Sequence, residues 1–144
     1  MRKSFSLLEL IIVIAVIAII GTFAIPKFYK IMSNSKITEL KSNLAIIRNN
    51  ISKLKTKQTL LNEVISIDSL DDASSNTNNE ILFDKIIDFN ILSTTSSLKE
   101  IGKWIKLSDS SYEYILSSNK SVLFSLENNS FNCTSSLEIC KEIE

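Results

Sequence analysis

The chain has 144 residues but contains no histidine, one proline, two glycines and two cysteines. Without histidine it lacks the usual general base of enzymes and the commonest metal ligand in proteins. Two glycines are too few for a glycine-rich loop that binds phosphate. These absences predict a protein that is not an enzyme and that has no cofactor or metal. We therefore expect it to act through binding or assembly.

Charge of opposite sign gathers in the two halves of the chain, although the formal net charge is zero. Up to Asn62, ten Lys and Arg face two acidic residues, a net charge of +8. From Glu63 onward, six Lys face fourteen acidic residues, a net charge of −8. This split favours a molecule whose two ends meet different neighbours. It argues against a compact nucleic-acid binder, which would be basic overall, so no direct nucleic-acid partner is expected.

A long apolar run lies near the N-terminus. Every residue from Leu10 to Ile20 is Leu, Ile, Val or Ala. The 21 residues from Phe5 to Ile25 would form about 31 Å of helix, close to the thickness of a bilayer core. Arg2 and Lys3 precede the run, which favours a single span with a cytoplasmic N-terminus and an exported C-terminal part.

Glu9 interrupts this apolar run. A carboxylate within a membrane span is costly, so it marks a candidate functional residue that needs a partner. Three other interpretations stay open for the segment. Glu9 could lie among the lipid headgroups at the cytoplasmic edge. The run could also be a cleaved signal peptide, with a weak cleavage site at Thr22-Phe23-Ala24, or an uncleaved anchor.

The residues Lys3-Ser4-Phe5-Ser6-Leu7-Leu8-Glu9-Leu10, with the apolar run and Pro26 behind them, resemble the leader and N-terminal helix of type IV pilins and type II secretion pseudopilins. The resemblance covers residues 1 to about 30. It implies that a prepilin peptidase of the inner membrane cuts between Ser4 and Phe5 and methylates the new N-terminus. Ser4 departs from the family, which usually has Gly there.

The resemblance also implies an assembly role for three residues. Glu9 of one subunit would receive the Phe5 amine of another and so set the axial register of a filament. In a low dielectric such a pair is strong once formed, and either partner left alone is costly. Pro26 would kink or loosen the helix during packing, whereas a simple helix break at the membrane surface is the alternative. The other implied partners are further pilin subunits and an assembly platform protein.

Beyond Pro26 the sequence predicts an amphipathic helix that reaches Leu61. Apolar residues recur at spacings of three and four and form one narrow stripe: Ile37, Leu40, Leu44, Ile47, Ile51 and Leu54. We expect the opposite face to be polar, with Lys36, Lys41, Arg48, Asn49, Lys53 and Lys55. This basic face is expected to be solvated or to pair with acidic surfaces of neighbouring subunits. Contact with DNA or acidic lipid is the alternative.

The C-terminal part predicts a small antiparallel sheet on that helix. Asp71 to Glu80 is expected to be a surface loop, which resembles a calcium loop in part but has Thr77 and Phe83 where Gly and Glu are needed. A short helix from Glu80 to Phe89, capped by Asn79, is expected to turn four residues inward: Leu82, Phe83, Ile86 and Ile87. Strands are expected at 103–107, 112–116, 122–126 and 131–133, with Trp104, Phe124 and Phe131 in the core.

Cys133 and Cys140 are the only cysteines. Export would make a disulfide between them chemically sensible, and it would resemble the disulfide-bounded region of many pilins. A pair of free thiols is the alternative.

The sequence therefore predicts an α+β, pilin-like fold: a long transmembrane and amphipathic N-terminal helix packed on a small antiparallel β-sheet. The expected parts are a leader (1–4), a membrane and assembly helix (5–25), an amphipathic helix (26–61) and a periplasmic head (62–144). The expected function is a pseudopilin or minor pilin of a type II secretion or DNA-uptake filament. The alternatives are a major pilin for adhesion or motility, and an anchored periplasmic binding protein that does not polymerise.

Overall fold

A long N-terminal helix and two small antiparallel sheets make up the fold. The computed structural model describes residues 6–62 and 66–143. In chain order the elements are α1 (Leu7–Leu61), β1 (Ile81–Leu82), β2 (Ile91–Leu92), β3 (Trp104–Ser108), β4 (Ser111–Ser117), β5 (Lys120–Glu127), β6 (Ser130–Cys133) and α2 (Leu137–Ile143). Contacts divide the chain within α1 into two units, Met1–Ser35 and Lys36–Glu144. The predicted α+β class is confirmed.

The larger sheet, in the second unit, is an antiparallel meander in the order β3-β4-β5-β6, and β1 pairs with β2 separately. The strands predicted from alternating apolar residues are all present, with ends shifted by at most two residues. The turn between β5 and β6 places Asn128 and Asn129 at φ angles of 52° and 57°. Positive φ at both central residues is typical of the tight turns that join antiparallel strands, and Asn tolerates it well.

The apolar stripe of α1 packs on one face of this sheet. Leu40, Leu44, Ile47 and Ile51 are each at most 3% exposed, while Ile37 lies partly buried against the same cluster. The sheet contributes every second residue of its strands, as the alternation predicts: Trp104, Tyr112, Tyr114, Leu116, Val122, Phe124, Leu126 and Phe131. Helix and sheet therefore share one core, which removes both apolar surfaces from water.

Aromatic rings form the centre of that core. The ring of Phe83 lies 4.9 Å from that of Tyr112 and 5.3 Å from that of Trp104, and the rings of Phe124 and Phe131 stack at 5.4 Å. Such pairs contribute about 0.5–1.5 kcal/mol each beyond the burial of their area. The predicted core positions of Trp104, Phe124 and Phe131 are confirmed.

The short helix predicted from Glu80 to Phe89 is wrong. The segment instead holds β1, a turn at 83–86 and the approach to β2. Asn79 and Phe83 have φ angles of 60° and 62°, in the left-handed region where a right-handed helix cannot run. The Phe83 N–H donates to the carboxylate of Asp71 at 3.1 Å. The predicted inward positions still hold, because Leu82, Phe83 and Ile87 are buried and Ile86 partly so.

The prediction that Asp71 belongs to a surface loop is also wrong, since Asp71 is 1% exposed. Its carboxylate pairs with the buried ammonium of Lys106, on β3, at 2.9 Å. It also accepts a hydrogen bond from the Tyr112 hydroxyl at 2.9 Å. Lys106 donates in addition to the Ala73 carbonyl at 2.7 Å and pairs with Asp109 at 3.0 Å. A buried charge is tolerated only when it is paired and hydrogen-bonded, as it is here.

This network shifts the proton affinity of its members. Burial acts against the charged ammonium of Lys106, but hydrogen bonds and charge from Asp71 and Asp109 outweigh it and raise the pKa above its ordinary value. Burial, and then the negative charge of Asp71, raise the pKa of Tyr112. Burial also raises the pKa of Tyr114, with a further contribution from Glu39. All three groups are therefore held in their protonated forms.

Two side chains predicted on the polar face of α1 lie instead at the margin of its buried stripe. Arg48 is partly buried and donates from Nε to the Phe131 carbonyl of β6 at 3.0 Å. Lys36 is partly buried and pairs with Glu39 at 2.7 Å. The physical reason is position on the helix, because each residue turns it by about 100° and so both flank the stripe. Lys41, Asn49, Lys53 and Lys55 are exposed, as predicted.

A disulfide bond connects the C-terminal helix α2 to the sheet. Cys133 of β6 and Cys140 of α2 form a disulfide with a Cα–Cα distance of 5.8 Å, which confirms the predicted bond. The helix α2 itself was not predicted. Its last residue, Ile143, is 3% exposed and joins the core, and Lys120 of β5 pairs with Glu142. The bond closes a short loop, and its loss is expected to cost about 2–3 kcal/mol on a chain-entropy basis.

The two buried tyrosines give a matched test of the network. Tyr112→Phe removes a hydrogen bond to a carboxylate, so we expect the free energy of unfolding to fall by about 1.5–3 kcal/mol. The Tyr114 hydroxyl has no hydrogen-bond partner among the described residues. Tyr114→Phe is therefore expected to change stability by less than about 0.5 kcal/mol or to raise it. Denaturant titration followed by Trp104, the single tryptophan, measures both.

The same groups set a pH dependence. Their pKa values are higher in the folded chain, so the stability they contribute is complete below pH 10 and is lost as pH rises through the folded pKa values. We expect unfolding to become easier above about pH 10. The loss should be shallower in Tyr114→Phe. An unchanged alkaline slope in that variant would contradict the assignment.

Candidate membrane-anchoring and assembly segment

The N-terminal part of α1 is apolar enough to enter a membrane. Among the described residues, one helical stretch, Leu7–Phe28, is long and apolar enough to cross a membrane. It has 22 residues and a mean hydropathy of 2.8. At about 1.5 Å per residue it is about 33 Å long, which matches a hydrocarbon core of about 30 Å. Its only charged residues are Glu9 and Lys27, close to its two ends.

The large apolar side chains of this stretch are exposed on every side of the helix. From Leu7 to Phe28 their exposed fractions lie between 45% and 77%. A surface helix of a water-soluble fold would instead have one apolar stripe and an opposite polar face. The segment is therefore compatible with a membrane anchor. Gly21 has no heavy atom within 4 Å of where a Cβ would lie, so its surface is open as well.

Glu9 lies in the first turn of α1. Its backbone N–H approaches the Ser6 carbonyl at 3.1 Å and the Ser6 hydroxyl at 3.4 Å, so Ser6 caps the start of the helix. An acidic side chain in the first turn also suits the helix dipole. The side chain of Glu9 is exposed, and none of the described residues pairs with its carboxylate. Within residues 6–62 and 66–143, this places a carboxylate without a partner at the edge of an apolar surface.

Pro26 lies inside α1 without ending it. The helix continues from Leu7 to Leu61, so the alternative of a simple helix break at Pro26 is wrong. Proline has no N–H to donate to the carbonyl of Thr22, four residues earlier. The hydroxyl of Thr22 donates to the Ile19 carbonyl at 2.7 Å. A kink or loosening at this point stays a prediction.

The other predicted site residues divide into two groups. Ser4 and Phe5, the expected cleavage and methylation site, lie outside the described residues. Cys133 and Cys140 are brought together as a disulfide. The sequence did not indicate the buried pair of Asp71 and Lys106, although Lys106 lies two residues after the core residue Trp104 and so on the same face of the strand.

The oxygen-rich loop before β1 uses its acidic groups within the protein. Asp72 pairs with Lys85 at 2.6 Å, and the Glu80 carboxylate accepts a hydrogen bond from the Ser74 N–H. Within residues 6–62 and 66–143, no group of three His, Cys, Asp or Glu side chains is placed to hold a metal ion.

Comparison with known proteins bears on the family. No family model matches the chain, and no solved structure matches it. A segment of 43 residues is 48% identical to the type IV major pilin protein PilA of Myxococcus xanthus strain DK1622. The match covers 30% of this chain and 20% of that relative's length. Together with the apolar N-terminal helix, it fits a type IV pilin-like protein, as the resemblance of the N-terminal residues predicts.

The anchoring role predicts an effect of charge at the centre of the stretch. A lysine at mid-span costs about 2.5–3.5 kcal/mol, so Ile14→Lys combined with Ile17→Lys is expected to move the chain from the membrane to the soluble fraction. Thr56→Lys, at an exposed position of α1, is the control and should stay with the membrane. Sedimentation of alkali-washed membranes measures the distribution. Full membrane retention of the double variant would contradict an anchor at Leu7–Phe28.

Proposed function

We propose that this chain is a structural subunit of a filament and polymerises through its N-terminal helix. The observation that carries the proposal is the stretch Leu7–Phe28, apolar on all sides, with a carboxylate at Glu9 that pairs with no residue in the described part of the chain. Lipid covers this apolar surface before assembly, and the helices of other copies cover it afterwards. The likeness to a pilin over 43 residues supports the same conclusion.

We propose that the chain is a single-pass protein of the bacterial inner membrane, with its N-terminus in the cytoplasm and its head, residues 62–144, in the periplasm. The disulfide of the head supports an oxidising compartment, because such bonds persist outside the cytosol. A prepilin peptidase cuts between Ser4 and Phe5 and methylates Phe5. An assembly platform protein in the same membrane then adds the processed subunit to the filament.

Glu9 sets the register in this proposal. Cleavage leaves a positive amine at Phe5, and the carboxylate of a neighbouring copy receives it. Removing either charge from an apolar environment without the other is costly, so the pair selects one axial position and rejects others. The gain is specificity of assembly rather than net stability. A structural role of this kind needs no catalytic group, which agrees with a sequence without histidine.

Within this class we favour a pseudopilin or minor pilin of a type II secretion or DNA-uptake filament. The small head and the short disulfide loop, with six residues between the cysteines, support this choice. A major pilin is the second candidate, favoured by the match to a protein described as a major pilin. Abundance in sheared surface filaments distinguishes the two. Retention as an unprocessed monomer would favour an anchored binding protein that does not polymerise.

Replacing Glu9 tests the assembly role. Glu9→Ala is expected to remain membrane-inserted and processed but to enter filaments at least about tenfold less than the natural chain, because the Phe5 amine loses its partner. Glu9→Gln should behave alike, since the charge and not the shape is required. Glu127→Ala removes an exposed acid outside α1 and serves as the control. Incorporation of Glu9→Ala at the natural level would refute the register role.

Processing is tested separately by mass spectrometry of the membrane-extracted chain. We expect a mature form that begins at Phe5 and carries one N-terminal methyl group. Ser4→Leu should accumulate the precursor, because a bulky residue would not fit a peptidase that accepts a small one, whereas Ser4→Gly should be cut at least as well. An intact Met1 in the natural chain would contradict the proposal.

A further inference from the structure

One buried cluster of reactive side chains takes no part in the proposed function. Lys106 on β3 lies directly opposite Tyr112 on β4 in the sheet register, and both side chains are buried. Asp71 reaches them from the segment before β1, and its Oδ1 lies 2.9 Å from the Lys106 Nζ. The side chains of Lys106 and Asp71 are 2% and 0% exposed. A primary amine and a carboxyl group therefore meet where bulk water does not reach.

The two oxygens of the Asp71 carboxylate have different surroundings. Oδ2 accepts hydrogen bonds from the Tyr112 hydroxyl at 2.9 Å and from the Phe83 N–H at 3.1 Å. Oδ1 accepts no aligned hydrogen bond from the described residues and contacts the ammonium of Lys106. Two donors fixed on one oxygen stabilise the negative charge that develops there when a nucleophile adds to the carbonyl carbon. Oδ2 is thus placed as the carbonyl oxygen, and Oδ1 as the oxygen that can leave.

A second carboxylate lies within reach of the same amine. The Oδ1 atom of Asp109 is 3.0 Å from the Lys106 Nζ, and the Asp109 side chain is 78% exposed. A carboxylate at hydrogen-bond distance from an amine is placed to take a proton from it and to give that proton up again. The cluster therefore holds a nucleophile, a carboxyl group polarised by two donors, and a proton carrier.

Burial distinguishes this ion pair from an exposed one nearby. Lys85 Nζ lies closer to its acid, 2.6 Å from Asp72 Oδ1, but these two side chains are 42% and 80% exposed. In water, hydration favours the separate charged groups over an amide, and burial removes that hydration. An amide replaces two buried charges by one neutral group and releases a water molecule. Fixed proximity acts in the same direction, since effective concentrations in well-oriented intramolecular reactions reach about 10⁵–10⁸ M.

We propose that Lys106 and Asp71 condense within the folded head to an isopeptide bond, an amide between two side chains, without another enzyme. The proposal goes beyond the filament function and does not depend on it. The bond that forms joins the Lys106 Nζ to the Asp71 Cγ, and the bond that breaks joins Cγ to Oδ1. Two protons of the ammonium leave with Oδ1 as water. The reaction is therefore redox-neutral and needs no further reactant.

The proton transfers follow from the contacts. The ion pair is the starting form, because burial opposes the ammonium but hydrogen bonds with Asp71 and Asp109 raise the pKa of Lys106 above its ordinary value. Transfer of one proton from Nζ to the Asp71 Oδ1 makes the amine a nucleophile, which adds to Cγ and places negative charge on Oδ2. Asp109 takes the next proton from Nζ and returns it to the Asp71 Oδ1. That oxygen then departs as water, and the double bond between Cγ and Oδ2 forms again.

Mass spectrometry of the full chain, extracted from membranes and reduced, tests the bond directly. We expect most of the natural chain to be lighter by one molecule of water than the same chain without the link. After digestion with trypsin, residues 58–85 and 104–120 should remain joined as one branched product, because an amide-linked Lys106 is not cut. Cleavage after Lys85, in the exposed pair, should proceed normally. A natural chain that yields residues 104–106 as a free peptide, without the branched product, would overturn the proposal.

The two buried tyrosines test the mechanism, with the linked fraction followed over time after a pulse of synthesis. Tyr112→Phe removes one of the two donors on the Asp71 Oδ2 and is expected to slow linking by about a hundredfold or more. Asp109→Asn removes the proton carrier and is expected to slow it by a similar factor, about a hundredfold. Tyr114→Phe keeps both donors and should link at the natural rate. Equal rates in the two tyrosine variants would contradict the role of the Tyr112 hydroxyl.

A denaturing gel gives a second readout on the natural chain. The link spans 35 positions of sequence, so the reduced and denatured natural chain stays more compact than Lys106→Met, which cannot form the bond. We expect the natural chain to migrate faster, and equal migration would count against the bond. Absence of the bond leaves the filament function untouched, because that function is decided by the Glu9 variants. Failure of assembly in the natural chain would leave the bond untouched in turn.

Discussion

The burial of one narrow stripe of α1 against the aromatic face of the sheet is the constraint on which the head depends. Leu40, Leu44, Ile47 and Ile51 are buried in the core shared with the sheet, and they fix the rotation of the helix about its own axis. Once that rotation is fixed, so are the flanks. A rotation by one residue, about 100°, would bury Lys41 and expose Leu40. The side chains that α1 presents beside the sheet therefore follow from the apolar spacing of a single helix.

The buried pair of Asp71 and Lys106 plays a different part. A salt bridge in a core rarely adds net stability, but it permits few alternative arrangements, because either charge alone would be costly. Here the pair connects the segment around Asp71, which has little regular structure, to β3. The Asp71 carboxylate also accepts hydrogen bonds from the Tyr112 hydroxyl and the Phe83 N–H. We attribute to this network the position of the turn after β1, and hence the place where Asp84, Asp88 and Phe89 emerge.

Much of the fold could be predicted because its signals are local and periodic. Three patterns can each be recognised within about ten residues of sequence. They are the apolar stripe on α1, the alternation along β4 and β5, and the Asn-Asn turn before β6. The failures involve partners distant in sequence. Leu82, Phe83, Ile86 and Ile87 have helical spacing, yet a hydrogen bond from Phe83 to Asp71 and the pairing of β1 with β2 decide the backbone there. The burial of Lys106 has a weak signal, because it shares a strand face with Trp104, but its partner lies 35 positions away.

The two kinds of contact proposed for the subunit solve different problems. An apolar helix can associate with other helices, but this contact does not fix their axial register. Lipid and neighbouring helices are equally apolar, so sliding along the axis costs little free energy. A charge pair at Glu9 supplies position, since only one register places the amine opposite the carboxylate. The charge pair does not fix the rotation of the heads, and neither does the apolar helix. The apolar surface and the charge pair therefore act together, since the first holds the helices in one environment and the second fixes their relative position.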